Sequence, residues 1–96
     1  MLLIFDTIPA PGPILVDSFD PGGTDTIRKA INDGKVVDDT RWEKENPAAP
    51  DVFLKWQAEY KRRRQTKFFD HFKTYVIDSA TTWSGTIMNQ ELKRQG

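Results

Sequence analysis

Residues 73–83, KTYVIDSATTW, limit the possible folds of this chain more than any other stretch. Thr74, Tyr75, Val76 and Ile77 are β-branched or aromatic in an unbroken run. Such a run reads as a strand buried on both faces, the kind found inside parallel sheets. It ends at Asp78, after which the small residues Ser79, Ala80, Thr81 and Thr82 lead into a new helical pattern. An acid at the carboxyl end of a buried strand lies where open α/β sheets place their ligands. Two roles are open here: an oxygen ligand for a divalent metal ion, or an Asp or Ser that caps the next helix.

The rest of the chain alternates short strands with helices. Residues 2–5 (LLIF) predict a strand, and 6–13 (DTIPAPGP) a loop whose prolines fit neither a helix nor a central strand. Residues 14–16 (ILV) predict a second strand ending in Asp17. The linker between the two is shorter than a parallel crossover needs, so the first strand is expected to be antiparallel to the second or not its neighbour. A turn at 18–24 (SFDPGGT), a short helix at 26–32 and a brief strand at 35–37 follow. Residues 38–50 read as an irregular excursion anchored by Trp42. Asp51 is the expected cap of a helix from 52 to about 65, with Val52, Phe53, Leu54, Trp56 and Tyr60 in its apolar stripe. Phe68, Phe69 and Phe72 suit one helical turn before the central strand. A last helix carries Trp83, Ile87, Met88 and Leu92 along one side. This alternation predicts a single α/β domain over 1–96, with a small mixed, mostly parallel sheet and two main covering helices.

Composition removes several function classes. The 14 basic and 14 acidic residues cancel, so no global field draws the chain to nucleic acid or anionic membrane. With no cysteine and one histidine, thiolate and histidine-rich metal sites are excluded. No apolar run reaches the length of a membrane span, and residues 1–5 are too short and uncharged for a signal peptide, so a cytoplasmic protein is expected. No GxxxxGK[ST] phosphate loop occurs. Asp17 and Asp78 both end predicted strands; as neighbours they could share a metal ion, and otherwise each serves as a local turn or cap acid. Lys61, Arg62, Arg63 and Arg64 form a basic run that either contacts phosphates or is a solvated helix end favoured by the helix dipole. His71, among phenylalanines, reads as a packing residue. Ser79, Thr81 and Thr82 have no histidine partner for a nucleophilic triad.

Two stretches taken together, ILVDSFDPGG at 14–23 and TYVIDSATTWSGTIMN at 74–89, resemble phage RecA-like, AAA-type P-loop ATPases. In that likeness the first stretch matches the strand after the Walker A helix, and the second the Walker B strand with its following helix. The resemblance implies Asp78 as the Walker B acid near Mg²⁺, with Ser79 and Thr81 as cofactor contacts. It implies that Asp17 and the turn at Asp20 lie near the position of the water-activating acid. The pattern departs from the family where Glu is expected two residues after Asp17, because Phe19 stands there. Too few residues precede Ile14 for a phosphate loop and its helix. The resemblance therefore implies a cut-down RecA-like core that does not hydrolyse ATP and acts by binding another protein; short phage proteins of this size often occupy a surface of a host complex, for example a defence system. The exposed contacts would be Arg62, Arg63, Arg64 and Trp42. The alternative is a subunit of a phage DNA-recombination ATPase whose ATP and Mg²⁺ site another chain completes. With the phosphate-loop half missing, the flank of the central strand is expected to be open to dimerisation by edge pairing.

Overall fold

In the computed structural model, which describes residues 2–4 (backbone only), 12–22 and 36–95, four strands form one sheet. They are β1 (Leu2–Ile4), β2 (Ile14–Ser18), β3 (Val36–Asp39) and β4 (Thr74–Asp78). Their order across the sheet is β1-β4-β2-β3, and each pairing is parallel. Two helices, α1 (Val52–Gln65) and α2 (Ala80–Gln95), pack against each other and α2 packs on β4, which makes the domain α/β as expected. The helix expected at 26–32 lies outside the described residues. No helix among the described residues is long and apolar enough to cross a membrane.

The order settles two expectations. β1 is not a neighbour of β2, because β4 lies between them. The predicted open flank of the central strand is corrected by the same fact: β4 is paired on both sides, so its backbone groups are used within the sheet.

Burial follows the run TYVID. Thr74, Tyr75, Val76 and Ile77 are all buried, which a parallel strand covered on both faces requires. Successive side chains point to opposite faces. On one face Leu15, Phe19, Tyr75 and Ile77 join Trp42, Val52, Trp56 and Phe69 in the main core. On the other, Val16, Val36 and Val76 form a smaller cluster.

α1 forms because its residues are mostly good helix formers, with Val52, Trp56 and Arg63 on the buried side. Its start departs from expectation. Asp51 makes no side-chain cap; its carboxylate instead pairs with Lys55 at 2.8 Å. The first amide, that of Val52, is met by Glu45 Oε1 at 3.3 Å, and Glu45 Oε2 accepts from Asn89 of α2 at 3.2 Å. One carboxylate from the preceding loop thus replaces the local cap and also reaches the second helix. The turn predicted around Phe68 is a 3₁₀ helix, Phe68–His71, entered through Lys67 in the left-handed region at φ 59°. His71 is exposed and stacks edge-on against Phe68, which is the packing role its sequence context suggests.

Candidate functional site

The carboxyl ends of β2 and β4 lie side by side, with Ser18 in register with Asp78. The pairing runs one step past the strand, since the Phe19 amide donates to the Asp78 carbonyl at 2.7 Å. After β2 the chain next joins β3, on the side of β2 away from β4. After β4 it enters α2, which packs beside α1. The turn after β2 and the first turn of α2 thus both start at the carboxyl ends of two neighbouring parallel strands, the end of the sheet at which open α/β folds bind ligands.

Five polar residues lie at this end of the sheet. Ser18 Oγ donates to the Asp20 carbonyl at 3.2 Å and steadies the turn. The Thr82 hydroxyl donates to the Asp20 carboxylate and ties that turn to the first turn of α2. Ser79 Oγ accepts from the Thr82 amide at 3.4 Å and lies 3.3 Å from the Thr82 hydroxyl. Ser79 is therefore the residue that caps α2. Asp78, half-buried, closes β4 immediately before Ser79, and the peptide bond between them is cis. Asp20, Asp78 and Ser79 are thus brought to one edge. Thr81 is exposed on α2, while Thr82, for which no ligand role was expected, makes the decisive contact.

Asp17 is elsewhere. It is in register with Ile77, so it faces α1 while Ser18 and Asp78 face the other way. A shared metal site of Asp17 and Asp78 is corrected on this ground. Asp17 is 0% exposed, and its Oδ2 accepts from Arg63 Nη1 at 2.8 Å, from Trp56 Nε1 at 3.1 Å and from the Tyr75 hydroxyl. Burial raises the Asp17 pKa more than the Arg63 charge and the Tyr75 and Arg63 hydrogen bonds lower it. The Tyr75 phenol is also pushed upward, first by burial and then by the Asp17 charge. Asp17 Oδ1 and Trp42 Nε1 are buried without a hydrogen-bond partner, although the indole is placed to favour the carboxylate. Among the described residues, no group of three or more His, Asp and Glu side chains converges to hold a metal ion.

The basic run divides. Arg63 is 3% exposed and bridges Asp17 to Asp39, whose Oδ2 it meets at 2.7 Å. Trp42 is likewise 3% exposed, stacked against Phe19. Arg63 and Trp42 are therefore corrected from outer contact residues to core residues. Arg62 and Arg64 do stay exposed, Arg62 bonded to Glu59 and Arg64 lying over the Tyr60 ring. Glu59 is the hub that sequence reading passed over. It accepts from Arg41 at 2.7 Å and from Arg62, with Arg63 at 3.9 Å. Its signal was present as i,i+3 and i,i+4 spacing to Arg62 and Arg63.

These pairs set an acid limb of stability. Hydrogen bonding from Arg62, opposed by partial burial and joined by Arg41, lowers the Glu59 pKa to about 2. Asp39 is lowered too: burial pushes it up, but the hydrogen bonds and charge of Arg41 and the charge of Arg63 outweigh that. A depressed folded-state pKa contributes stability above the unfolded value and loses it as pH falls through the folded value. For Glu59 that window runs from the ordinary 4.5 down to about 2. Glu59→Gln should flatten the fall of the urea midpoint across this window. An unchanged acid slope would mean that the Arg41 and Arg62 contacts do not persist in solution.

Compared with known proteins, the chain matches no family model, no curated protein and no solved structure.

Proposed function

We propose that this chain supplies the acid-bearing half of a Mg²⁺–nucleotide site, in the RecA-like manner its sequence resembles, with the phosphate-gripping loop contributed from outside residues 1–96. The observation that carries this reading is the contact of Asp20, Ser79 and Thr82 at the carboxyl ends of two parallel central strands, where Asp78 closes β4 in register with Ser18. The donors are oxygens only, which suits Mg²⁺ with much of its water shell retained. Asp78 is the residue assigned to that shell, and the Ser79 and Thr82 hydroxyls would stand beside the phosphates. The chain alone is not expected to hydrolyse ATP. It has no lysine-bearing phosphate loop, and Asp20 is engaged by Thr82 rather than held ready to orient a water molecule. A surface formed by Arg63 and Trp42 is no longer a basis for partner capture, since both are buried.

Calorimetric titration of the full chain with ATP and Mg²⁺ tests the reading. Without the phosphate loop, affinity should be weak, with a Kd of about 1 mM, equivalent to about 4 kcal/mol. Asp78→Ala should weaken it by about tenfold or more while leaving the far-UV spectrum unchanged. The proposal fails if no heat is seen at several times that concentration, or if folded Asp78→Ala binds as well as the parent.

A further inference from the structure

Asp17 is out of character on its face of β2. Its neighbours on that face, Leu15 and Phe19, are apolar core residues, and Asp17 lies between them at 0% exposure. A buried ion pair is often no more stable than well-packed apolar residues of similar volume, so packing alone does not account for a carboxylate here. Its contacts are informative. A single oxygen, Oδ2, takes donors from two elements: Trp56 and Arg63 of α1, and Tyr75 of β4. Asp17 is also in register with Asp39 of β3. Two like charges directly opposite each other destabilise a sheet. Arg63 lies between them, donating to Asp17 with Nη1 and to Asp39 with Nη2.

We infer that Asp17 and Arg63 are positioning residues: together they hold the carboxyl end of β2 against α1 and so fix the Ser18–Asp20 turn beside Asp78 on the opposite face. The reasoning follows the backbone. Ser18 directly follows Asp17 and registers with Asp78, and Phe19 supplies the amide that extends the pairing to the Asp78 carbonyl. Asp20, one residue on, carries the carboxylate that Thr82 engages. If the side chain of Asp17 is free to move, the last rung at Phe19 and the turn beyond it are the first groups to lose their alignment. Leu15 and Val16 are held by pairing on both sides of β2 and do not depend on it. That this turn matters to a ligand rests on the proposed function; that it is held by Asp17 and Arg63 does not.

Hydrogen exchange in the full chain without ligand separates the two. In Asp17→Leu/Arg63→Met the ion pair is replaced by apolar side chains, and Asp39 keeps its contacts to Arg41. A local positioning role predicts that the Phe19 amide loses about tenfold or more of its protection while the Leu15 and Val76 amides keep theirs. A purely structural role would change all three together or none. Tyr75→Phe removes one donor to the same oxygen and decides the matter if the double variant does not fold; Phe19 should again lose protection selectively. Equal protection of Phe19, Leu15 and Val76 relative to the parent, in whichever variant folds, overturns the inference. Because no nucleotide is present, that result is independent of the outcome of the ATP titration.

Discussion

Arg63→Ala should lower the unfolding free energy by about 3–5 kcal/mol, the usual cost of leaving one partner of a buried pair without the other. Arg63 and Asp17 are 3% and 0% exposed at the side chain, so water does not replace the lost guanidinium. Asp39 is spared the same fate because Arg41 still engages it through two nitrogens. The deficit should depend on pH in a definite direction. The Asp17 pKa is already raised by burial with Arg63 in place, and removing the cation raises it further. A raised folded-state carboxyl contributes stability at low pH and loses it as pH rises through the folded value. The variant should therefore be weakest near neutrality and recover toward the parent in acid. Urea unfolding at pH 7 and near pH 4.5 checks both statements. A loss below about 1 kcal/mol at pH 7 would match an exposed pair and contradict the burial.

Trp56→Ala should cost a similar amount, about 3–5 kcal/mol, for a different reason. The indole is 7% exposed and packs against Phe19, Phe53, Tyr60 and Trp83. Its N–H also donates to Asp17 Oδ2 and to the Tyr75 hydroxyl at 3.0 Å. Truncation opens a cavity where α1, α2 and the sheet meet and removes a donor from a buried carboxylate. Trp56→Phe keeps most of the volume, and its loss should be nearer the 1–3 kcal/mol of an unsatisfied buried acceptor. A domain with roughly 5–15 kcal/mol of total stability would tolerate the second change and be close to unfolding with the first. Thermal unfolding of both variants provides the comparison. Equal losses would show that the hydrogen bond, and not the packing, dominates at this position.

The sheet was legible where residue type alone decides structure. The apolar runs at Ile14–Ser18 and Thr74–Asp78 became strands, and the stripe through Val52 and Trp56 became α1. Asp78 was visible as a site acid because it closes such a run. What one sequence could not reveal is phase and partnership. The basic run reads as exposed, whether as a phosphate contact or a solvated helix end, yet counting along α1 from Val52 and Trp56 places Arg63 on the buried side, and Asp17 and Asp39 on the sheet explain why a charge is tolerated there. Asp17 and Asp78 looked alike as strand-ending acids. A one-residue difference in register turned them to opposite faces. The Asp20–Thr82 contact joins residues 62 positions apart, beyond any spacing rule. The missed cap at Asp51 had the same cause, since Glu45 reaches the first amide of α1 from outside the helix.

The strand order has a kinetic consequence. β4 is the last of the four strands in sequence but occupies an interior place, between β1 and β2. As the chain leaves the ribosome, β2 and β3 can pair early, whereas the partner that β1 has among the described strands, β4, is made last. Joining β1 to β4 closes a very long loop, and such non-local pairing is slow because chain entropy is lost before contacts repay it. The Ser18–Asp78 edge is therefore assembled late in biosynthesis, and until then the β4-facing side of β2 is an open template for pairing with another chain.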